Sequence, residues 1–288
     1  MNNNFFNESM RQSTGMRVFL YAIIFLVCTL LGAAVTAIMA FGNDLSLKLA
    51  QGISSTLMFI VPPIVYYYLT RRKHPMQALG LRKMVKPRAM LLIASVFVII
   101  VSIPVTDQLS AWNEAMKLGG PFEKVEVWMR TLEDSAEAIT ERMLNVSTFG
   151  GLLLNLLIIA LIPAVGEEMT FRGVLQQALT RRLKSPHVAI ILSAAIFSFI
   201  HFQFYGFLPR MFLGVLLGYM FYITDSLWPC MLMHFLNNGT TVVLYYLNNN
   251  GITHVDVEHL GAELWMVALS ALLTTGLIVW SWWRAEKE

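Results

Sequence analysis

Six polar residues stand in apolar stretches of the sequence where hydrocarbon-like side chains are the rule. Glu167, Glu168 and Arg172 fall within Gly166-Glu-Glu-Met-Thr-Phe-Arg-Gly173, His201 closes Phe197-Ser-Phe-Ile-His201, and His234 and Asn238 bracket His234-Phe-Leu-Asn-Asn238. Ionisable groups inside apolar helices are costly, so they are functional candidates by default. Glu168 and Arg172 are four residues apart, share one helix face and can pair, either for chemistry or as a packing ion pair. Glu167 points about 100° away from Glu168 on a helix of 3.6 residues per turn. It has no partner on its own helix. An unpaired carboxylate in apolar surroundings is suited to general-base work. His234 and Asn238, also four apart, project together and could act on a substrate or bridge helices by hydrogen bonds.

These residues need elements that bring them together. Lys184-Ser185-Pro186 reads as a hairpin turn between two helices, with Glu167 17 residues before Lys184 and His201 17 residues after it. In an antiparallel pair they come to one depth, roughly 25 Å from the turn at 1.5 Å per residue. The basic end of the hairpin then projects beyond a bilayer while the site lies inside it.

Eight apolar segments are predicted, at 18–41, 53–70, 89–105, 147–166 (running on as a helix), 187–204, 207–223, 228–247 and 263–283. Most reach the ~17–25 residues of a spanning helix. The 288-residue chain is 56% hydrophobic and 14% charged, with 21 basic and 18 acidic side chains. A soluble domain carries about 25% charged residues. That excludes a soluble domain, a disordered chain and a nucleic-acid binder, and leaves an all-α polytopic membrane protein, read as one integral membrane domain over 1–288 with a motif-bearing core at 147–247. Cys28 and Cys230 lie in apolar runs and offer no disulfide framework or cysteine metal site.

Basic residues set the expected orientation. The first span follows Arg11 and Arg17, and the loop 71–88 holds Arg71, Arg72, Lys73, Arg82, Lys83, Lys86 and Arg88. With eight spans both termini are cytoplasmic, and of the 21 Lys and Arg only Lys48, Lys117, Lys124, Arg130, Arg142 and Arg210 fall outside. The long outer connection 106–146 contains an amphipathic pattern: Phe122, Val125, Met129, Leu132, Ala136, Ile139 and Met143 recur at spacings of three and four. Its other face is acidic, unlike the basic face of membrane-surface helices, so it is expected to pack on the protein's own outer end. Gly214 and Gly218 read as a close helix-packing pair. Pro62-Pro63 is expected to kink the second span, and Phe197 to pack beside the site. The four remaining histidines, His74, His187, His254 and His259, read as surface residues.

Glu167-Glu168-x-x-x-Arg172, Phe197-x-x-x-His201 and His234-x-x-x-Asn238, in that order and on these helices, resemble the motif set of the CAAX-processing and bacteriocin-immunity intramembrane proteases. The resemblance covers roughly 147–247 and the eight-helix count; 1–146 resembles the family only in hydropathy. It implies that Glu167 activates a water for attack on a peptide carbonyl, that His201 helps hold that water, and that His234 and Asn238 stabilise the oxyanion. Glu168 and Arg172 would orient the site, with a supporting catalytic part for Glu168. It implies no required cofactor. A zinc ion held by one Glu and two His is the alternative, though no two of these ligands share one metal-binding helix motif. The expected function is an intramembrane endopeptidase acting on a peptide or membrane-protein substrate within the lipid bilayer, with no nucleic-acid partner. The second reading is a non-catalytic scaffold or bacteriocin-immunity protein on the same fold. A third, a proton-coupled transporter, lacks the expected repeated halves. Short loops and the lack of an organelle signal fit a bacterial inner membrane.

Overall fold

The computed structural model describes residues 14–39, 42–71, 73–84, 88–256 and 262–287. Arg11, Arg72, Lys86 and His259 lie outside the described residues, as do 40 and 41 at the end of the first predicted span. The described residues form ten helices and no strand: α1 (Thr14–Met39), α2 (Asp44–Thr70), α3 (Pro75–Leu79), α4 (Arg88–Glu114), α5 (Glu123–Leu144), α6 (Phe149–Leu183), α7 (Pro186–Phe199), α8 (Phe207–Thr224), α9 (Leu227–Asn249) and α10 (Leu264–Glu286). Each of the eight predicted apolar segments contains a helix, though residues 200–203 of the fifth are not helical. Gly15–Met39, Asp44–Thr70, Arg88–Glu114, Phe149–Leu183, Phe204–Thr224 and Leu264–Glu286 are long and apolar enough to cross a membrane. The chain is an integral membrane protein. Of the other two segments, α7 is short and α9 is diluted by His234, Asn237, Asn238, Thr240 and Thr241.

Three boundaries differ from the sequence reading, one of them the end of α7, which stops at Phe199 rather than running to 204. The second span starts at Asp44 rather than 53, because Asn43 caps it by accepting the Ser46 N–H at 3.0 Å. The third runs nine residues past 105 to Glu114, so the outer connection begins later than expected. Asn113 explains the extension. It is buried, and its amide donates to the Phe204 carbonyl at 2.9 Å while its oxygen accepts the Leu208 N–H at 2.6 Å. Packed polar bonds outweigh the loss of apolar pattern.

The predicted amphipathic helix exists as α5. Its acidic start is pinned: the N–H groups of Gly119 and Leu118 and the Arg130 guanidinium hold the Glu126 carboxyl below the usual carboxylate range. Its far end packs on the protein, with Met143 and Leu144 buried and Arg142 paired to Asp44 at 2.7 Å. Phe122, Val125 and Ile139 remain exposed, while Trp128 and Arg130 meet Phe204 and Tyr205.

α8 and α6 sit inside the bundle, while α1 and α10 are peripheral. Outward side chains of α1, such as Phe19, Leu26 and Leu30, are exposed and apolar, as a lipid-facing surface requires. The basic loop is docked: Leu227 N–H donates to the Gly80 carbonyl at 3.0 Å, and Arg82 pairs with Asp225. Gly80 has φ 117°, a left-handed conformation that favours glycine.

Helix α6 approaches α2 and α3 through Gly166, Thr170 and Gly173, spaced three and four apart on one face. A Cβ on Gly166 would lie 2.8 Å from Phe59 Cβ, and one on Gly173 2.8 Å from the Leu79 carbonyl oxygen. Thr170 donates to the Phe59 carbonyl at 3.0 Å. That carbonyl's usual α-helical donor would be residue 63, which is a proline without an N–H. The two prolines are preceded by a π-turn at Thr56–Ile60, and the Phe59 carbonyl is bridged from α6. Gly173→Ala should cost about 1–3 kcal/mol through overpacking against backbone. Gly150→Ala, with nothing within 4 Å of its Cβ, should be neutral or slightly stabilising. Thermal unfolding of the two purified variants side by side checks this.

Candidate active site

The site is built on α6, where two π-turns, Leu156–Leu161 and Phe171–Gln176, flank the straight run Ile162–Thr170 that holds Glu167 and Glu168. π-Turns inside helices recur at functional sites. Glu167 and Glu168 diverge as their spacing dictates. Glu168 turns into the protein, fully buried, and Glu167 lines a cavity of about 400 Å³. No hydrogen bond holds the Glu167 carboxylate among the described residues; His234 Nε2 stands 3.7 Å from its Oε2.

Glu168 is the centre of a buried network. Its Oε1 accepts from Arg172 Nη1 at 2.7 Å and from His234 Nδ1 at 2.9 Å. Arg172 Nη2 donates to the Gly214 carbonyl at 2.8 Å, and its guanidinium lies 5.1 Å from the Phe197 ring centroid. One turn on, Gln176 donates to the Gly218 carbonyl at 3.0 Å. The glycine pair of α8 thus has two uses. It packs close to Ala194 and Ile190 of α7, as its spacing predicts, and it leaves two successive carbonyls open to side chains from α6. Because Glu168 takes the His234 Nδ1 proton, the Nε2 edge of that ring is the one turned toward Glu167 and the cavity.

His201 reaches the same cavity from the end of α7, as the hairpin spacing predicts. Its Nδ1 lies 2.8 Å from the Phe197 carbonyl, an acceptor only, so Nδ1 carries the proton and Nε2 is left as an acceptor. Phe197 is the hub: its buried ring meets His201 edge-on at 5.0 Å and His234 at 6.1 Å.

α7 has 14 residues, about 21 Å, which is shorter than the ~30 Å hydrocarbon core. Residues 200–203, between α7 and the 3₁₀ turn Phe204–Gly206, are not helical, and their backbone groups need partners inside the protein. Ser198 donates to the Phe207 carbonyl at 2.7 Å, Tyr205 N–H to Glu133 at 3.0 Å, and Arg210 to the Gln203 carbonyl. Phe202 stands at φ 53°, a strained conformation for a bulky residue, directly beside His201.

Asn238 lines the cavity too. Its amide nitrogen donates to the Ile159 carbonyl at 3.4 Å, and its oxygen accepts from Asn237 at 3.1 Å. Ile159 lacks its ordinary α-helical donor because residue 163 is proline. The second N–H of the amide is not used by either bond.

Five of the six sequence-predicted residues therefore meet around one cavity or behind it, with Arg172 one bond further back. Arg210 and Asn237 line the same space and were not singled out from the sequence. A signal for Arg210 existed: it stands inside the apolar run 207–223. Among the described residues no group of three His, Cys, Asp or Glu side chains is placed to hold a metal ion. Nδ1 of each candidate histidine is held, by the Phe197 carbonyl for His201 and by Glu168 for His234, which leaves Nε2 as the other ring nitrogen of each.

A family model described as type II CAAX prenyl endopeptidase Rce1-like matches residues 149–240. This stretch, about a third of the chain, is similar to that family. All six site residues fall inside it, and it is the resemblance already carried by the three motifs. The Rce1-like match supports a CAAX-type intramembrane protease superfamily. None of the curated proteins and none of the solved structures matches the chain.

Proposed function

We propose that the protein is an intramembrane endopeptidase that hydrolyses a peptide bond with a glutamate-activated water and no required cofactor. The observation that carries this is the Glu167 carboxylate, without a hydrogen bond among the described residues and 3.7 Å from His234 Nε2, on a cavity that His201 and Asn238 also line. A water in that cavity gives one hydrogen bond to Glu167 and the other to His201 Nε2. Glu167 takes its proton as the oxygen attacks the carbonyl carbon. The developing oxyanion accepts from the free Asn238 N–H and is stabilised by the His234 ring, whose Nδ1 is held 2.9 Å from Glu168. Such donors are worth more in a water-poor site than in bulk. Glu167 then delivers the proton to the leaving amine. Cleavage of a fluorogenic peptide by purified protein, with and without a chelator, tests the scheme. Chelator-resistant activity supports it, and activity lost to the chelator and restored by zinc overturns the water-only mechanism. The match and the motifs favour an enzyme over a non-catalytic immunity or scaffold protein.

The cavity mouth is lined by Gln51 and by Ala136, Thr140 and Met143 of α2 and α5, at the end of the bundle opposite Arg71, Arg181 and Lys184. By the positive-inside rule the basic end is cytoplasmic. In a bacterial inner membrane with both termini inside, the substrate bond is then reached from the outer side. Thr140→Cys should react with a membrane-impermeant maleimide in intact cells and Lys73→Cys only after lysis; Cys28 and Cys230 are buried. The reverse pattern overturns this orientation and leaves the chemistry standing.

A further inference from the structure

At the opposite end of the bundle from the active site is a second pocket, of about 250 Å³, and its lining carries one sign of charge. Arg17 comes from α1, Arg71 from the end of α2, and Arg181, Arg182 and Lys184 from the end of α6 and its turn. No Asp or Glu lines it, and among the described residues none of these five cations is in an ion pair. Contrast Arg82, Arg142 and Arg172, each matched to a carboxylate. Three separate segments of chain have converged to put five positive charges around one concavity, and like charges beside a low-dielectric helix bundle repel more strongly than in bulk water.

The depth of the pocket is marked by tyrosine. Tyr66 and Tyr67 line it, while Tyr68 next to them is exposed, as a headgroup-level aromatic would be. Guanidinium forks match phosphate oxygens two at a time, which a lone lysine does not. Four of the five cations are arginines.

We propose that this pocket binds a phosphate anion, the phosphodiester of an acidic lipid headgroup or a free phosphate. Its occupant neutralises the cluster and ties together the inner ends of α1, α2 and α6. The site helix feels this tie, because Tyr67 on the pocket wall donates to the Gly173 carbonyl at 2.9 Å, one residue past Arg172. The inference is independent of the proteolytic reading.

The test is the thermal midpoint of the detergent-purified full chain with added phosphatidylglycerol, phosphatidylcholine or inorganic phosphate. Wild type is compared with Arg71→Gln/Arg182→Gln and with a control of equal charge loss at the same end, Lys73→Gln/Lys83→Gln. Phosphatidylglycerol should raise the wild-type and control midpoints by at least about 3 °C and the pocket variant by much less. An equal rise with inorganic phosphate assigns the site to the free anion; a rise only with phosphatidylglycerol assigns it to the headgroup. Native mass spectrometry should show one retained phosphatidylglycerol fewer in the pocket variant, a readout that holds if its midpoint is already low. Equal responses of the two double variants, or no selectivity over phosphatidylcholine, overturn the proposal.

Discussion

Glu167→Gln should lower kcat/KM about 100- to 10,000-fold, the span of general acid–base catalysis, and leave the protein folded. Glutamine keeps the shape and hydrogen-bonding reach of glutamate and loses only the capacity to take a proton from water. Little stability is at stake. The carboxylate has no hydrogen-bond partner among the described residues, stands 3.7 Å from His234 and faces a cavity rather than packed side chains. The thermal midpoint should therefore stay near that of wild type. His201→Ala should also be strongly impaired, since it removes the second acceptor for the water. Peptide cleavage by each purified variant, alongside its melting curve, reads both effects. Full activity in Glu167→Gln would sink the mechanism, and retained cellular function with no measurable cleavage would favour the immunity or scaffold reading.

Arg172→Met should have the opposite profile, a loss of the fold before any question of catalysis. Glu168 and Arg172 are 0% and 1% exposed, so removing the cation strands a carboxylate in an apolar interior. Breaking a buried pair from one side costs about 3–5 kcal/mol. The change also removes the donor to the Gly214 carbonyl. Arg172→Lys should rescue only part, because one ammonium cannot reach Glu168 and Gly214 in the planar fork that stacks on Phe197. The double variant Glu168→Gln/Arg172→Met should recover much of the lost stability, since it leaves no buried charge unpaired. It should not recover activity, because the Nδ1 partner of His234 is then no longer a carboxylate. Thermal unfolding of the four members of this cycle, with cleavage assays on those that fold, separates the structural and orienting parts of Glu168. Additive stability losses would contradict the network.

Much of this was open to reading in the chain itself because membrane helices simplify geometry. With a rise and turn per residue known, the spacing of Glu167 and His201 about Lys184 put them at one depth, and they do line one cavity. The same arithmetic separated Glu167 from Glu168 and joined Glu168 to Arg172. The amphipathic period located α5 to within a residue at each end. Span ends were less legible, because Asn113 and Asn43 act through capping and cross-helix bonds that hydropathy does not register.

Local spacing and apolar content determined what each helix is, where its polar residues point and which charges stand without a local partner, since all of these follow from one helix taken alone. Tertiary packing decided the rest. It made Glu168, and not Glu167, the residue bonded to His234, and gave the Gly214 and Gly218 carbonyls to Arg172 and Gln176. It made Phe197 the hub between two histidines, and brought Arg17, Arg71 and Arg181 into one basic pocket. Each of these depends on how helices distant in sequence rotate against one another. That rotation is set by where glycines permit close approach and where prolines leave carbonyls needing donors, a property of pairs of helices that no single segment contains.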